Sequence, residues 1–134
     1  MMRHWGRFVV AAVMAEAVPL AIMAGLVAAL AAGDPFGDPG VSPRILRWVE
    51  ALLAGGAALL AALWVTRPLT TNRIGYGVAL GVVVILLDIG LLVANGTAFN
   101  WMQVASNFGR LESAVFGSWL AGRRFRARAA IPLG

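Results

Sequence analysis

Apolar residues in this chain fall into four long blocks, at about 8–32, 43–66, 74–94 and 99–122. Each reaches the ~20 residues that an α-helix needs to cross ~30 Å of hydrocarbon. Punctuation separates them. Ser42 is suited to cap a helix that opens on Pro43, where the missing N–H costs nothing. Arg67-Pro68 stops the second block, Asn72 precedes the third, and Asn95-Gly96 forms the turn after it. The first block resembles a signal peptide in following Arg3 and Arg7, but signal cores hold only about 7–15 apolar residues. Its length and the acidic Glu16 predict a retained helix. The fourth block is the least apolar, with Asn100, Gln103, Ser106, Asn107, Arg110, Glu112, Ser113 and Ser118. Those residues occupy more than one helical face, and the length fits a span better than a helix lying on a surface.

The expected fold is therefore a single all-α domain over residues 1–134: four transmembrane helices in an up-down bundle. Composition agrees. Of the 134 residues, 60% are hydrophobic and only 13% charged, with mean hydropathy +0.83. Soluble domains run at about 45–50% apolar and about 25% charged. A soluble fold and disorder are both excluded on these values. Without cysteine there is no disulfide scaffold and no thiolate chemistry. His4 stands alone, so neither a metal site nor a cofactor is expected.

The net charge is +5, and all the basic residues are arginines. Most sit at block ends, so the positive-inside rule explains them better than nucleic acid does. With both termini cytoplasmic, the inner side holds Arg3, Arg7, Arg67, Arg73, Arg123, Arg124, Arg126 and Arg128, and the outer side only Arg44 and Arg47. Trp5, Trp48, Trp64, Trp101 and Trp119 fall near span ends, as an aromatic belt requires. Arg123, Arg124, Arg126 and Arg128 are also expected on anionic lipid. Richness in Ala, Gly and Arg without lysine points to a GC-rich bacterial genome, hence a bacterial inner membrane. The loop 33–42 repeats Gly-Asp-Pro. Its spacing is that of turns, not of a calcium loop. Asn95-Gly96-Thr97 matches a glycosylation sequon but is sufficiently explained as a tight turn.

The chemistry lies in the charges inside the blocks: Glu16, Glu50, Asp88, Arg110 and Glu112. Each costs at least ~2.5 kcal/mol at a bilayer centre unless it pairs or meets water. At ~1.5 Å per residue, Arg110 lies about 16 Å from the outer boundary and Glu16 about 18 Å, so they match in depth. Asp88 lies about 10 Å down, within reach of a long arginine. Glu50 has Arg47 one turn away on its own helix, which is expected to neutralise it. Gln103, Asn107 and Arg110 share a helical stripe continued by Ala114 and Gly117, and Gly77, Gly81, Asp88 and Asn95 share another. Pro19, one turn after Glu16, frees a carbonyl beside that acid. Glu16, Asp88, Asn107 and Arg110, with Gln103 beside them, are expected to form a polar centre.

Glu112 lies about 200° around the helix from Arg110. It is expected, with the small-residue pair Gly77 and Gly81, at a contact with another subunit or partner. A membrane glutamate in the first of four helices, at Ala15-Glu16, is also a feature of the small multidrug transporters. The 33–42 loop, Arg110 and the one-sided arginine bias depart from that family, so membership is not assigned.

Four membrane carboxylates against one membrane arginine leave an excess of acid that protons, water or a cation must offset. That favours an oligomeric proton- or ion-coupled transporter. A non-catalytic subunit of a larger membrane complex is the alternative. A lipid enzyme ranks last, because no nucleophile–base spacing is present.

Overall fold

The computed structural model describes residues 2–33 and 42–129. The Asp34 to Gly40 turns, and the side chains of Arg3 and Arg128, lie outside the described residues. The fold is all-helical, with α1 (Met2–Gly33), α2 (Pro43–Thr66), α3 (Arg73–Ala94) and α4 (Trp101–Ala129), and no strand among the described residues.

Local chemistry sets the helix ends. Ser42 Oγ accepts from the Arg44 N–H at 3.3 Å, and Pro43 opens α2. At the close of α3, Gly96 takes a positive φ of 64°, its N–H bonds the Val93 carbonyl, and the Thr97 N–H bonds that of Leu92. This double clasp satisfies carbonyls that a helix end otherwise orphans. Before α4, the Asn100 N–H donates to Gln103 Oε1 and the Gln103 N–H donates to Asn100 Oδ1, both at 3.1 Å. This reciprocal cap starts α4 at Trp101 and not two residues earlier. α1 runs unbroken through Pro19.

Contacts between helices fix their directions. Arg7 Nη2 donates to the Trp64 carbonyl at 3.0 Å, so the start of α1 lies beside the end of α2. Gly55 faces Ser113 and Gly117 faces Leu59, so α2 and α4 run parallel. Gly77 faces Ser118 and Gly81 faces Leu111, so α3 opposes α4. The path is up-down-up-down. α4 packs extensively on both α2 and α3; α1 leans on α2, touches α3 lightly and does not pack on α4. The end holding the start of α1 and the close of α4 is here the basal end, and the opposite end is distal.

The core is built largely from small side chains, Ala11, Ala12, Ala15, Ala54, Ala58, Ala62 and Ala114, joined by Phe8 and Val65; among the described residues Leu80 and Val84 are the large apolar side chains buried completely. Leucines, valines and aromatic residues point outward instead, Leu52, Leu86, Val93 and Phe108 among them. This inverts the usual soluble distribution, in which large apolar residues are most often interior. Small residues let helix backbones approach closely. Gly77 and Gly81, expected at a contact with another subunit, are instead used within the chain. A Cβ on Gly77 would collide with Ser118, and one on Gly81 would lie 2.7 Å from Leu111 Cδ1.

α1 (from His4), α2 and α3 are long and apolar enough to cross a membrane. α4 has the length without the overall apolarity, but its polarity is sorted. Asn107, Arg110, Ser118 and Ala114 are buried, while Trp101, Val104, Phe108, Phe116 and Trp119 are exposed.

The glycine contacts make a prediction. A methyl at Gly117 would run into the Leu59 backbone carbonyl, whereas one at Gly56 meets nothing within 4 Å. Gly117→Ala should lower stability by about 1–3 kcal/mol, the usual overpacking cost. Gly56→Ala should be neutral or slightly stabilising. Thermal unfolding in detergent followed by circular dichroism checks this, and equal responses would refute the packing.

Candidate functional site

Arg110 points inward because its stripe on α4 faces the bundle and the opposite face is aromatic. Its neighbours Asn107 and Ala114 are buried on the same side. Arg110 Nη1 lies 3.0 Å from Glu16 Oε2 on α1 and 3.0 Å from Asp88 Oδ1 on α3. The same nitrogen stands 3.5 Å from Asn107 Oδ1. One guanidinium therefore joins three helices, including two, α1 and α4, that have no packing contact of their own. The Arg110 and Glu16 side chains are 5% and 6% exposed, and that of Asp88 is 16% exposed.

The network is incomplete in a specific way. Arg110 Nε and Asn107 Nδ2 are buried without a hydrogen-bond partner among the described residues. Two carboxylates share one cation, leaving one negative charge uncompensated when all three groups are ionised. Structural ion pairs normally use all their donors, because a half-satisfied buried network costs more than an apolar core.

Among the described residues the ionic centre is reached from the distal end. A polar cavity of about 200 Å³ at the distal end is lined by Arg47, Glu50, Asn100, Gln103 and Ser106, and it reaches Asp88 and Arg110. Glu16 does not line it and sits behind Arg110. On the basal side of the ionic centre the interior turns apolar, in one buried cluster of Phe8, Ala11, Ala12 and Ala15 of α1, Ala61, Ala62 and Val65 of α2, Leu80 and Val84 of α3 and Ala114 of α4.

The structure thus brings together Glu16, Asp88, Asn107 and Arg110. Gln103 is not in this cluster: its side chain is taken by the α4 cap, and it lines the cavity above. Arg47 does not pair with Glu50; both line the cavity instead. The signal for Glu50 was available, since Glu50, Ala54 and Ala58 are spaced four apart and share the inward face of α2. Glu112 is exposed on the outward face of α4, between Phe108 and Phe116. No group of three histidines or carboxylates that could hold a metal occurs among the described residues. No protein family, curated protein or solved structure matches the chain.

Removing one member of this centre should be worse than removing all its charges. Arg110→Met leaves two buried acids unpaired and should cost about 3–5 kcal/mol. The combination of Arg110→Met with Glu16→Gln and Asp88→Asn should regain most of that loss. Unfolding midpoints in detergent test this. A triple variant no more stable than Arg110→Met alone would remove the pairing from the account of stability.

Proposed function

We propose that the protein is an oligomeric, proton- or cation-coupled transporter of a bacterial inner membrane, with four transmembrane helices and both termini cytoplasmic. Several observations support the membrane placement. The outer surface is largely apolar, and α4 buries Asn107, Arg110 and Ser118 while Glu112 stays on its outward face. All five tryptophans are exposed, and the basal end carries most of the arginines. On this reading the distal cavity faces outward and the basal apolar seal faces the cytoplasm. The observation that carries the coupling is that Glu16 and Asp88 share the single Nη1 of Arg110. A proton or small cation arriving through the distal cavity cancels the surplus negative charge and weakens the hold of Arg110 on one acid. Intramembrane ionisable residues of this kind mark ion and proton paths.

The test is flux. Purified protein in liposomes, given a pH gradient and an internal pH dye, should dissipate it faster than empty vesicles. Glu16→Gln and Asp88→Asn should each reduce that rate by at least about tenfold, the effect of removing one ~1.4 kcal/mol contribution. Both variants should keep wild-type helicity. Wild-type flux in the variants, or none above background in the wild type with sodium or potassium gradients also tried, sinks the coupling role.

The alternative of a subunit within an assembly has its own support in Glu112. A carboxylate on an apolar outward face needs a polar partner from another helix, because an unpaired charge in hydrocarbon is costly. We therefore place Glu112 at an interface with a second copy or a different membrane protein. The chain has no cysteine, so Glu112→Cys introduces a unique thiol. Oxidation or a short bis-thiol linker in native membranes should give one discrete cross-linked species. A monomer under all conditions would remove the interface.

A further inference from the structure

A second cavity, of about 450 Å³, lies at the basal end between the α2–α3 connection and the last turns of α4. It has no part in the ionic centre. Its walls carry Arg73, Arg123 and Arg126, together with Thr70, Asn72 and Trp119. The Arg73 side chain lies over Gly122, with Nη1 3.4 Å from where a Cβ would stand, so a guanidinium from α3 is brought against the α4 backbone beside Arg123. The Arg123 guanidinium stacks 4.5 Å above the Trp119 ring, which fixes it at the cavity wall. None of the four carboxylates among the described residues, Glu16, Glu50, Asp88 and Glu112, lines this space.

The backbone adds to the positive potential. α3 starts at this cavity, and Asn72 before it takes a left-handed conformation (φ 51°, ψ 32°) in which its side chain makes no cap hydrogen bond. Helix N-termini with nearby arginines bind phosphate. Beyond Ile74 and Trp119 the cavity meets a second, largely apolar surface groove that these two residues share; it passes Phe116 and carries Glu112 and Ser113 further along α4, beyond the stretch from Ile74 to Phe116.

A charged head space joined to an apolar channel, level with an exposed tryptophan, has the polarity of a phospholipid. We infer that the basal cavity binds an anionic glycerophospholipid. Its phosphate lies among Arg73, Arg123 and Arg126, and one acyl chain lies along Ile74, Trp119 and Phe116. This is a built site that uses α3 and the α2–α3 connection. It differs from diffuse attraction of the arginine tail to a charged surface, which needs neither Arg73 nor a cavity. The inference rests on the membrane placement proposed above and is independent of proton coupling.

The experiment is native mass spectrometry of the full chain in detergent, titrated with dioleoylphosphatidylglycerol or dioleoylphosphatidylcholine. The anionic lipid should bind as one molecule per chain at least about tenfold more tightly than the zwitterionic one. Arg123→Gln/Arg126→Gln, at exposed positions that do not support the core, should reduce the preference to about twofold or less. Arg73→Gln should do the same from the α3 side. Arg44→Gln/Arg124→Gln removes the same formal charge outside the cavity and should retain the preference. Equal loss in that control would make the effect one of net charge and overturn the site. Displacement of the lipid by excess inorganic phosphate would reassign the cavity to a free anion. No preference in the wild type would refute the inference outright. A chain washed from membranes by alkaline carbonate would instead defeat the membrane placement, so the two failures are distinguishable.

Discussion

The reach of Arg110 across the bundle is the contact on which the arrangement of α1 depends. α1 and α4 do not pack against each other, and α1 touches α3 only lightly. What holds α1 to that side at mid-height is a single nitrogen placed between Glu16 and Asp88. Buried charges are expensive to desolvate and are retained only when paired. The pairing therefore sets the register of three helices at once: sliding α1 by one turn would move Glu16 about 5 Å, beyond any ionic contact. Elsewhere α1 is fixed to α2. Arg7 clamps Trp64 through its carbonyl and its ring face, the latter 4.7 Å from the guanidinium, and Ala11, Ala12 and Ala15 join the alanine-lined core.

α4 is the element around which the others are arranged, although it is the least apolar of the four. Its two faces explain this. The inward face offers Arg110, Asn107 and the small residues Ala114, Gly117 and Ser118, so α2 and α3 come close on either side. Buried hydroxyls do not disturb that contact, because Ser118 donates to the Ala114 carbonyl at 2.9 Å, and on α2 Thr66 donates to Ala62 at 2.6 Å. Each satisfies itself on its own helix. The outward face is aromatic. An average over the whole helix mixes these faces, which is why overall apolarity separates α4 from the other three while the sorting of its residues does not.

Much of this was legible in spacing. Depth matching and helical stripes single out Glu16, Asp88, Asn107 and Arg110, and the structure brings those four together. What spacing leaves open is competition for a side chain and the identity of a neighbour. Gln103 lies on the Arg110 stripe, but it also lies three residues after Asn100, and the helix start takes it. The Gly77 and Gly81 pair announces a close helix approach without saying whether the second helix belongs to the same chain. Arg47 and Glu50 are one turn apart, a distance at which pairing is feasible yet weak, and both instead face the distal cavity. Arg73 reads in the sequence as a topology charge, because nothing in the chain order places it over Gly122, 49 positions later (122 − 73).

The asymmetry of the interior follows from where small residues and polar residues meet. Above Arg110 the helices α2, α3 and α4 line a cavity with polar walls; below it, alanines together with Phe8, Val65, Leu80 and Val84 close the space. On the proposed transport reading, an ion that reaches Glu16 from the distal cavity displaces Arg110, and the displacement removes the contact that ties α1 to α3 and α4. Access to Glu16 and the position of α1 are thus the same variable. An alanine-lined interface, with few interdigitating side chains, opposes a small slide or tilt of α1 less than a core of leucines would, since shear between packed helices is limited by interlocking side chains. On the proposed transport reading, α1 is the moving element and α2–α3–α4 the frame, because only α1 owes its mid-height attachment to a charge that an arriving proton or cation can cancel.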